Sequence, residues 1–211
     1  MFRGTLGVGG GTLPPHEMST KLAVQIGDVT PANVAQLKTL NVNTLPVRYS
    51  DKFYKDLVTS GNQKYMKFAF WNGFAVGGVC ARIEPDSEQE GVSKLYIMTI
   101  NVLPAYRRRG IGACPSSIHS RFVSPPHFTN PCTIPLFLPP PAATLLQHVL
   151  DEATKETSSS IVEVYLHVQT SNLEAKNFYL SHGFVETGVI ANYYKRIEPP
   201  DCFILQRKLR V

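Results

Sequence analysis

Cysteine, tryptophan and long apolar runs are scarce in this sequence. Its four cysteines have no CxxC spacing and no histidines at matching distances, so the pattern predicts neither a zinc site nor a dense disulfide framework. No stretch reaches the roughly 18 apolar residues of a membrane span. The first twenty residues contain no continuous apolar segment of the kind found in secretory signals. We therefore expect a protein of the cytoplasm or nucleus that requires no metal and does not act in a membrane.

A modest excess of positive charge is the main feature of the composition. The formal net charge is +5 and the isoelectric point is about 9.0, and part of the excess lies in the run Arg107, Arg108 and Arg109. A basic patch that faces a phosphorylated cofactor explains this run as well as nucleic acid does. Because no interleaved aromatic and basic residues accompany the charge, we expect no direct contact with nucleic acid.

The length of the chain predicts one domain. A chain of 211 residues holds a single core of ordinary size with some additions. Residues 1–20 are rich in glycine and proline, which favours a flexible leader, and residues 21–211 then form the domain. Residues 113–143 contain eight of the 16 prolines, one arginine, and no lysine or acidic residue. This composition predicts neither helix nor strand, so we interpret the segment as an insert that interrupts the domain.

The rest of the sequence predicts a mixed α/β order of two helices, three strands, a helix, a strand, a helix and two strands. Thr30 is a candidate N-cap with Pro31 at the first helical position. Asn72-Gly73 separates two β-type runs in the pattern typical of a hairpin. The first predicted helix begins at the Thr30 cap, and the other three span 50–58, 144–155 and 172–182. The predicted strands span 65–71, 74–83, 93–102, 161–168, 184–187 and 202–208.

The loop after the third predicted strand carries the most informative motif. Residues 107–112 read Arg-Arg-Arg-Gly-Ile-Gly, and glycines at such a position let the backbone approach a pyrophosphate whose charge is met by amide N–H groups. A Gly-x-Gly pattern alone is more typical of a plain turn. The preceding strand, the arginines and the helical pattern beyond the loop favour phosphate binding.

Seven segments on either side of the insert together resemble one family. They span residues 27–31, 46–49, 51–55, 95–100, 110–112, 165–169 with 171–172, and 192–199. These segments resemble the N-alpha-acetyltransferase 50 (NatE) family of the GNAT acetyltransferases, over nearly all of residues 22–112 and 144–211. The resemblance implies a GNAT fold of the mixed α+β kind, in which a mostly antiparallel central sheet is splayed between its fourth and fifth strands and flanked by helices.

The family also implies an activity and a set of partners. Its members transfer acetyl from acetyl-CoA to the α-amino group of protein N-termini that retain methionine, usually followed by an apolar residue. They associate with subunits of the NatA complex at the ribosome. Two alternatives stay open: acetylation of lysine side chains, and a catalytically weakened form that serves as a binding subunit of an N-terminal acetyltransferase complex.

Candidate catalytic residues follow from the need to deprotonate an α-amine, whose reference pKa is about 7.7 to 8.0. Tyr96 and His167 each lie in a predicted strand, and the resemblance implies that they act together through an ordered water. A hydrogen-bonded core histidine and a packed strand tyrosine are the alternative. The resemblance further implies that Tyr179 protonates the departing thiolate.

The resemblance assigns the cofactor and substrate contacts as well. Asn172 and Tyr179 lie seven residues apart and share one face of a helix, although Asn172 alone is also explained as a helix cap. The implied cofactor-binding residues are Ile100, Val102, Arg107, Arg108, Arg109, Gly110, Ile111, Gly112, Asn172 and Tyr179. The implied substrate-binding residues are Leu45, Pro46, Val47, Tyr49, Tyr193 and Tyr194. Apolar and aromatic walls suit a flexible methionine side chain, although Leu45 stands where the family usually has phenylalanine, and the tyrosine pair is also compatible with a solvent-facing hairpin.

The insert falls between the glycine loop and the helix that the family joins to it directly. Deleting residues 114–143 would connect Ala113 to Thr144 and restore that junction. We interpret the insert as an unspliced intron or a faulty gene model rather than a genuine loop. Because it separates the loop from the helix N-terminus that would face the pyrophosphate, we expect it to weaken cofactor binding.

Overall fold

A seven-stranded sheet lies at the centre of the chain. The structure, a computed structural model, describes residues 24–86, 89–107, 140–156 and 160–209. Its strands are β1 (Gln25–Asp28), β2 (Met66–Trp71), β3 (Phe74–Pro85), β4 (Val92–Val102), β5 (Ser160–Gln169), β6 (Val185–Ile190) and β7 (Cys202–Lys208). Its α-helices are α1 (Val34–Thr44), α2 (Asp51–Thr59), α3 (Pro141–Lys155) and α4 (Leu173–Ser181), and short 3-10 turns span Gln63–Tyr65 and Pro104–Tyr106.

The strands lie in the order β1-β2-β3-β4-β5-β7-β6. Every neighbouring pair is antiparallel except β4 and β5, which run parallel. This is the mixed, mostly antiparallel sheet that the resemblance implied. The predicted hairpin is confirmed: β2 and β3 are joined by Asn72 and Gly73, whose φ angles of 47° and 80° are both positive. Asn and Gly adopt this conformation at the lowest cost, which is why the pair is typical of tight hairpins.

The N-terminal part differs from the prediction. A short strand, β1, pairs with β2 through residues 25–28 and 67–70, and the sequence reading had no strand there. The first helix begins at Val34 rather than at Pro31, because residues 30–33 form a turn in which the Asn33 side chain accepts a hydrogen bond from the Thr30 amide at 2.7 Å. The second helix agrees with its prediction, since Ser50 caps α2 by accepting from the Phe53 amide.

Helix α3 begins earlier than predicted, at Pro141 instead of Thr144. The last three residues of the Pro-rich insert therefore form the first turn of the helix. Proline is tolerated at this position because the first helical N–H groups have no partner within the helix. The predicted leader, residues 108–112 of the glycine loop, and residues 113–139 lie outside the described residues, so the intron interpretation of the insert stays a prediction.

Helices cover both faces of the sheet. On one face, α3 buries the apolar side chains that its sequence predicted, Leu145, Leu146, Val149 and Leu150. On the other face, α1 and α2 pack over β2 and β3 through a second cluster. Its buried members are Val29, Leu37, Leu40, Tyr54, Leu57, Met66, Phe68 and Cys80. The central strands are therefore packed between two apolar layers, one on each face of the sheet.

The parallel pair β4 and β5 separates part of the way along its length. The two strands are paired from Val92 with Ser160 as far as Tyr96 with Tyr165. Beyond these residues β4 continues to Val102 and β5 to Gln169, and the two strands no longer pair with each other. On its other side, β4 carries a bulge: Thr99 faces Cys80 and Ile97 faces Ala81, which leaves Met98 as the extra residue. A bulge bends its strand and redirects a side chain. Together the separation and the bulge open a wedge in the sheet.

None of the helices within the described ranges is both long enough and apolar enough to cross a membrane.

Candidate active site

Tyr96 and His167 face each other at the point where the wedge begins. The Tyr96 hydroxyl lies 3.2 Å from Nδ1 of His167, within hydrogen-bond distance. Tyr96 is the last residue of β4 to pair with β5, and His167 lies two residues beyond the last paired residue of β5, Tyr165. Because alternate residues of a strand share a face, Tyr165 and His167 project to the same side. The separation of the strands thus gives the two side chains room to meet at an accessible position.

An aromatic cluster surrounds this pair. The Tyr193 hydroxyl lies 3.2 Å from the Tyr96 hydroxyl, and the Tyr193 ring is 4.6 Å from the His167 ring. Tyr165 stacks on Tyr96 with ring centroids 4.9 Å apart and an interplanar angle of 29°. Tyr193 is 37% exposed, so it covers the pair from the solvent side.

Burial sets the protonation of both groups. It lowers the pKa of His167 below the ordinary value of 6.5, while the charge of Glu84 acts in the opposite direction. Burial, and next the hydrogen bond with Tyr193, raise the pKa of Tyr96 far above 10.0. At neutral pH the imidazole is therefore neutral and can accept a proton, whereas Tyr96 remains a phenol that can orient a polar group but does not act as an anion.

Two cavities meet beside the pair. The larger has a volume of about 530 Å³ and lies between the end of β4 and α4, and the smaller, of about 140 Å³, lies in the wedge. Residues that line both are Leu45, Pro46, Ile100, Asn172, Ala175 and Tyr179. His167 lines the smaller cavity. A ligand in the larger cavity and a second ligand in the smaller one would therefore meet next to the imidazole.

The larger cavity is lined by all of the predicted cofactor residues that the structure describes. Val102 and Arg107 line it, in addition to Ile100, Asn172 and Tyr179. The Arg107 side chain donates to the carbonyl of Val102 at 2.8 Å, which holds the guanidinium at the end of β4. Asn172 is also a helix cap, since its side chain accepts from the Ala175 amide at 3.1 Å. The predicted contacts Arg108, Arg109, Gly110, Ile111 and Gly112 lie outside the described residues.

Tyr179 lies at the junction of the cavities. The residue is only 3% exposed, and burial raises the pKa of its hydroxyl well above the ordinary value. It therefore keeps its proton at neutral pH and can donate it to a group that develops negative charge.

The predicted substrate loops form the walls of the smaller cavity. Leu45, Pro46, Val47 and Tyr49 line it from the loop between α1 and α2, and Tyr194 lines it from the loop between β6 and β7. The Tyr49 hydroxyl donates to the carbonyl of Met98 at 3.4 Å, which ties the first loop to the bulge in β4. Burial raises the pKa of Tyr49 to about 12. Tyr193, the other predicted substrate contact of the loop between β6 and β7, lines neither of the two cavities and instead contacts Tyr96 and His167.

Three residues of the site were missing from the sequence-based set: Arg82, Glu84 and Tyr165. Arg82 pairs directly with Tyr96 across β3 and β4, and the Tyr165 hydroxyl donates to the Glu84 carboxylate. Alternation along β3 places Arg82 and Glu84 on one face, but only the strand register shows that this face carries Tyr96. In the parts of the chain that the structure describes, no three His, Cys, Asp or Glu side chains cluster as metal ligands.

The comparisons with known proteins agree with this architecture. Residues 34–113 match the model of the acetyltransferase (GNAT) family. The chain is 39% identical over 187 residues to N-alpha-acetyltransferase 50 of Danio rerio, a match that covers 89% of each chain. It is 36% identical over 191 residues to the probable N-acetyltransferase san of Drosophila melanogaster, covering 90% of this chain and 84% of that one.

A solved structure extends the comparison to the fold. Arabidopsis thaliana Naa50, in complex with the bisubstrate analogue CoA-Ac-MVNAL, superposes with a TM-score of 0.64 at 35% identity, covering 88% of this chain and 98% of that one. The sheet, its parallel β4 and β5 pair and the flanking helices are those of a GNAT acetyltransferase. The chain belongs to this family and, within it, to the relatives of N-alpha-acetyltransferase 50.

Proposed function

We propose that this chain transfers the acetyl group of acetyl-CoA to the α-amino group of protein N-termini, with a preference for retained methionine followed by an apolar residue. The observation that carries the proposal is the meeting of two cavities, the smaller of which is lined by His167, whose Nδ1 lies 3.2 Å from the Tyr96 hydroxyl. The relative from Danio rerio is named N-alpha-acetyltransferase 50, and Arabidopsis thaliana Naa50 binds a bisubstrate analogue that joins CoA to an acetylated peptide.

The larger cavity suits a coenzyme A thioester. Its walls combine the apolar end of β4 with the Arg107 guanidinium and the N-terminus of α4, and cationic and helix N-terminal groups are what a phosphorylated ligand requires. When bound there, acetyl-CoA would supply an acyl group activated as a thioester. Ile100, Val102, Arg107, Asn172 and Tyr179 would hold it, and Tyr179 would give its proton to the sulfur of the leaving group.

His167 is the better proton acceptor of the catalytic pair. Its burial keeps the imidazole neutral at neutral pH, so it can remove a proton from the incoming amine directly or through one water. Tyr96 keeps its phenolic proton, and its hydroxyl, 3.2 Å from the imidazole, orients the amine or that water. Neutral amine is already partly present near pH 7, because the reference pKa of an α-amine is about 7.7 to 8.0.

The lining of the smaller cavity favours a peptide substrate that begins with methionine. Leu45, Pro46, Val47, Tyr49 and Tyr194 give it apolar and aromatic walls, which suit an unbranched thioether side chain. Its volume of about 140 Å³ favours one or two side chains rather than a folded surface. The analogue bound to the Arabidopsis relative begins with Met-Val.

Two further functions have support in the sequence. Lysine acetylation would use the same site but a more basic amine, with a reference pKa of about 10.4, and so a greater need for a base. A binding subunit with weak catalysis is favoured by the Pro-rich insert, which separates the glycine loop from α3. We also infer that the chain acts in the cytoplasm or nucleus and associates with NatA subunits at the ribosome, as the resemblance to the NatE family implies.

The test is acetyl transfer from acetyl-CoA to three matched peptides. The first begins Met-Leu, the second begins Ser-Leu, and the third has a blocked N-terminus and one internal lysine. Transfer mainly to the Met-Leu peptide supports the proposal. Transfer mainly to the blocked peptide would replace it with lysine acetylation. No transfer to any peptide by a folded chain, with partner binding retained, would favour the binding subunit.

A further inference from the structure

Tyr96 is flanked on both sides by residues of the neighbouring strands. Across β3 and β4 it pairs with Arg82, and across β4 and β5 it pairs with Tyr165. The Arg82 guanidinium lies 5.4 Å from the centre of the Tyr96 ring, in the range of a cation–π contact. On the other side, the Tyr165 ring stacks on Tyr96 at 4.9 Å. The Tyr96 ring is therefore held laterally by a cation and by an aromatic ring.

One carboxylate joins these two flanking residues. Oε1 of Glu84 lies 2.5 Å from Nη2 of Arg82 and accepts from its Nε at 2.7 Å. The second oxygen of Glu84 accepts from the Tyr165 hydroxyl. Glu84 lies two residues beyond Arg82 on β3 and reaches Tyr165 on β5, so its side chain spans the intervening strand β4. Arg82, Glu84 and Tyr165 thus form a bracket around the Tyr96 ring, which we call the Glu84 bracket.

The bracket also contributes to the charge around His167. The titratable and charged groups that face His167 come from four places: Tyr96 on β4, Tyr165 on its own strand, Tyr193 from the loop between β6 and β7, and Glu84 on β3. Burial keeps Tyr96 and Tyr165 protonated at neutral pH, whereas Glu84 contributes a negative charge. Its negative charge favours the imidazolium that forms when His167 accepts a proton.

We propose that Glu84 is a positioning residue for acetyl transfer: through Arg82 and Tyr165 it fixes the Tyr96 ring beside His167. This inference rests on the proposed function, because it assigns Glu84 a role in that reaction. Glu84 is not one of the residues that line either of the two cavities. It therefore acts on the reaction through the side chains around it and not by contact with a ligand in either cavity.

An ordinary surface ion pair is the competing explanation of the same contacts. The Arg82 and Glu84 side chains are 51% and 26% exposed, and an exposed ion pair usually contributes little to stability. Such a pair would leave turnover and the titration of His167 unchanged when it is removed. The two explanations therefore differ in measurable ways.

The test compares Glu84→Gln and Tyr165→Phe with Glu152→Gln, which removes a distant ion pair with Lys155 on α3. With the Met-Leu peptide, Glu84→Gln should lower kcat about tenfold, since small displacements of catalytic groups carry large kinetic costs, and leave the KM for acetyl-CoA unchanged. Tyr165→Phe keeps the stacked ring and loses only the hydroxyl, so it should lower kcat less. Glu152→Gln should match the parent chain.

A second readout does not depend on activity. The imidazole of His167, assigned in NMR spectra by its loss in His167→Gln, should titrate at lower pH in Glu84→Gln than in the parent. An unchanged kcat in an active enzyme, or an unchanged titration, would overturn the inference. If the parent transfers no acetyl group, the proposed function fails while the titration still decides the electrostatic link. If Glu84→Gln does not fold, an unchanged kcat in Tyr165→Phe would overturn the inference.

Discussion

The hydroxyl of Tyr96 and Nδ1 of His167 lie 3.2 Å apart, although 71 residues of sequence separate them. The contact exists because β4 and β5 are parallel neighbours that separate just after Tyr96. A continuously paired sheet would leave no space in which a substrate amine could approach these two groups. The opening of the sheet is thus the feature that turns two strand residues into a candidate catalytic pair.

Removing either member of this pair should lower turnover. Tyr96→Phe and His167→Gln should each reduce kcat roughly 100-fold or more, the usual effect of losing a positioned acid or base. The double variant should be little worse than the more damaging single variant, because groups that act as a unit are not additive. Steady-state kinetics with the Met-Leu peptide measures this. Additive losses would indicate that the residues act independently.

The pH dependence of kcat/KM should reveal His167. The lowered pKa of this residue means that the neutral imidazole persists to below pH 6.5 and is lost only when the pH falls through the shifted value. We expect one acidic limb from the peptide α-amine, at about 7.7 to 8.0, and a second below 6.5 from His167. The second limb should vanish in His167→Gln, and a second limb above 6.5 would contradict the assignment.

Gly77 should not tolerate a larger residue. A Cβ at this position would lie 2.5 Å from the Asn101 carbonyl oxygen and 3.0 Å from the Val102 side chain, so β3 and β4 would have to move apart. Gly77→Ala should lower the free energy of unfolding by about 1 to 3 kcal/mol, as overpacking usually does, and should weaken acetyl-CoA binding because Asn101 and Val102 line the larger cavity.

The matched control for Gly77 is Gly188→Ala. Its nearest contact would be the Ile204 side chain at 3.7 Å, an ordinary van der Waals distance, so we expect a change within about 1 kcal/mol in either direction. Urea unfolding of both variants provides the comparison. Equal destabilisation of the two would show that the close approach of Gly77 to β4 is not the cause.

Deleting the insert should strengthen cofactor binding. Removal of residues 114–143 joins Ala113 to Thr144 and takes away the first three residues of α3. Removal of residues 114–140 instead leaves α3 intact from Pro141 onwards. If the glycine loop needs a helix directly after it, both deletions should bind acetyl-CoA more tightly, on the order of tenfold for a partly buried helix terminus. Calorimetric titration measures this. Equal affinity of all three chains would mean that the insert leaves the cofactor site unaffected.

Structural elements that depend on neighbouring residues could be predicted from the sequence. The hairpin at Asn72 and Gly73 and the helix predicted over 50–58 were predicted correctly, because each depends on residues close together in the chain. Strand β1 was missed, since four residues with both end positions exposed carry little pattern of their own. Its pairing partner lies about forty residues away in β2, and only that partner makes it a strand.

The sequence by itself determined the chemical groups of the site and their family, through segments such as those around Tyr96 and His167. Only the tertiary structure decided how these groups meet. The register of β3, β4 and β5 places Arg82, Tyr96 and Tyr165 side by side, and Glu84 reaches across β4 to join two of them. The reason is physical: turns and caps are governed by neighbouring residues, whereas strand register and the opening between β4 and β5 follow from the packing of the whole sheet against its helices.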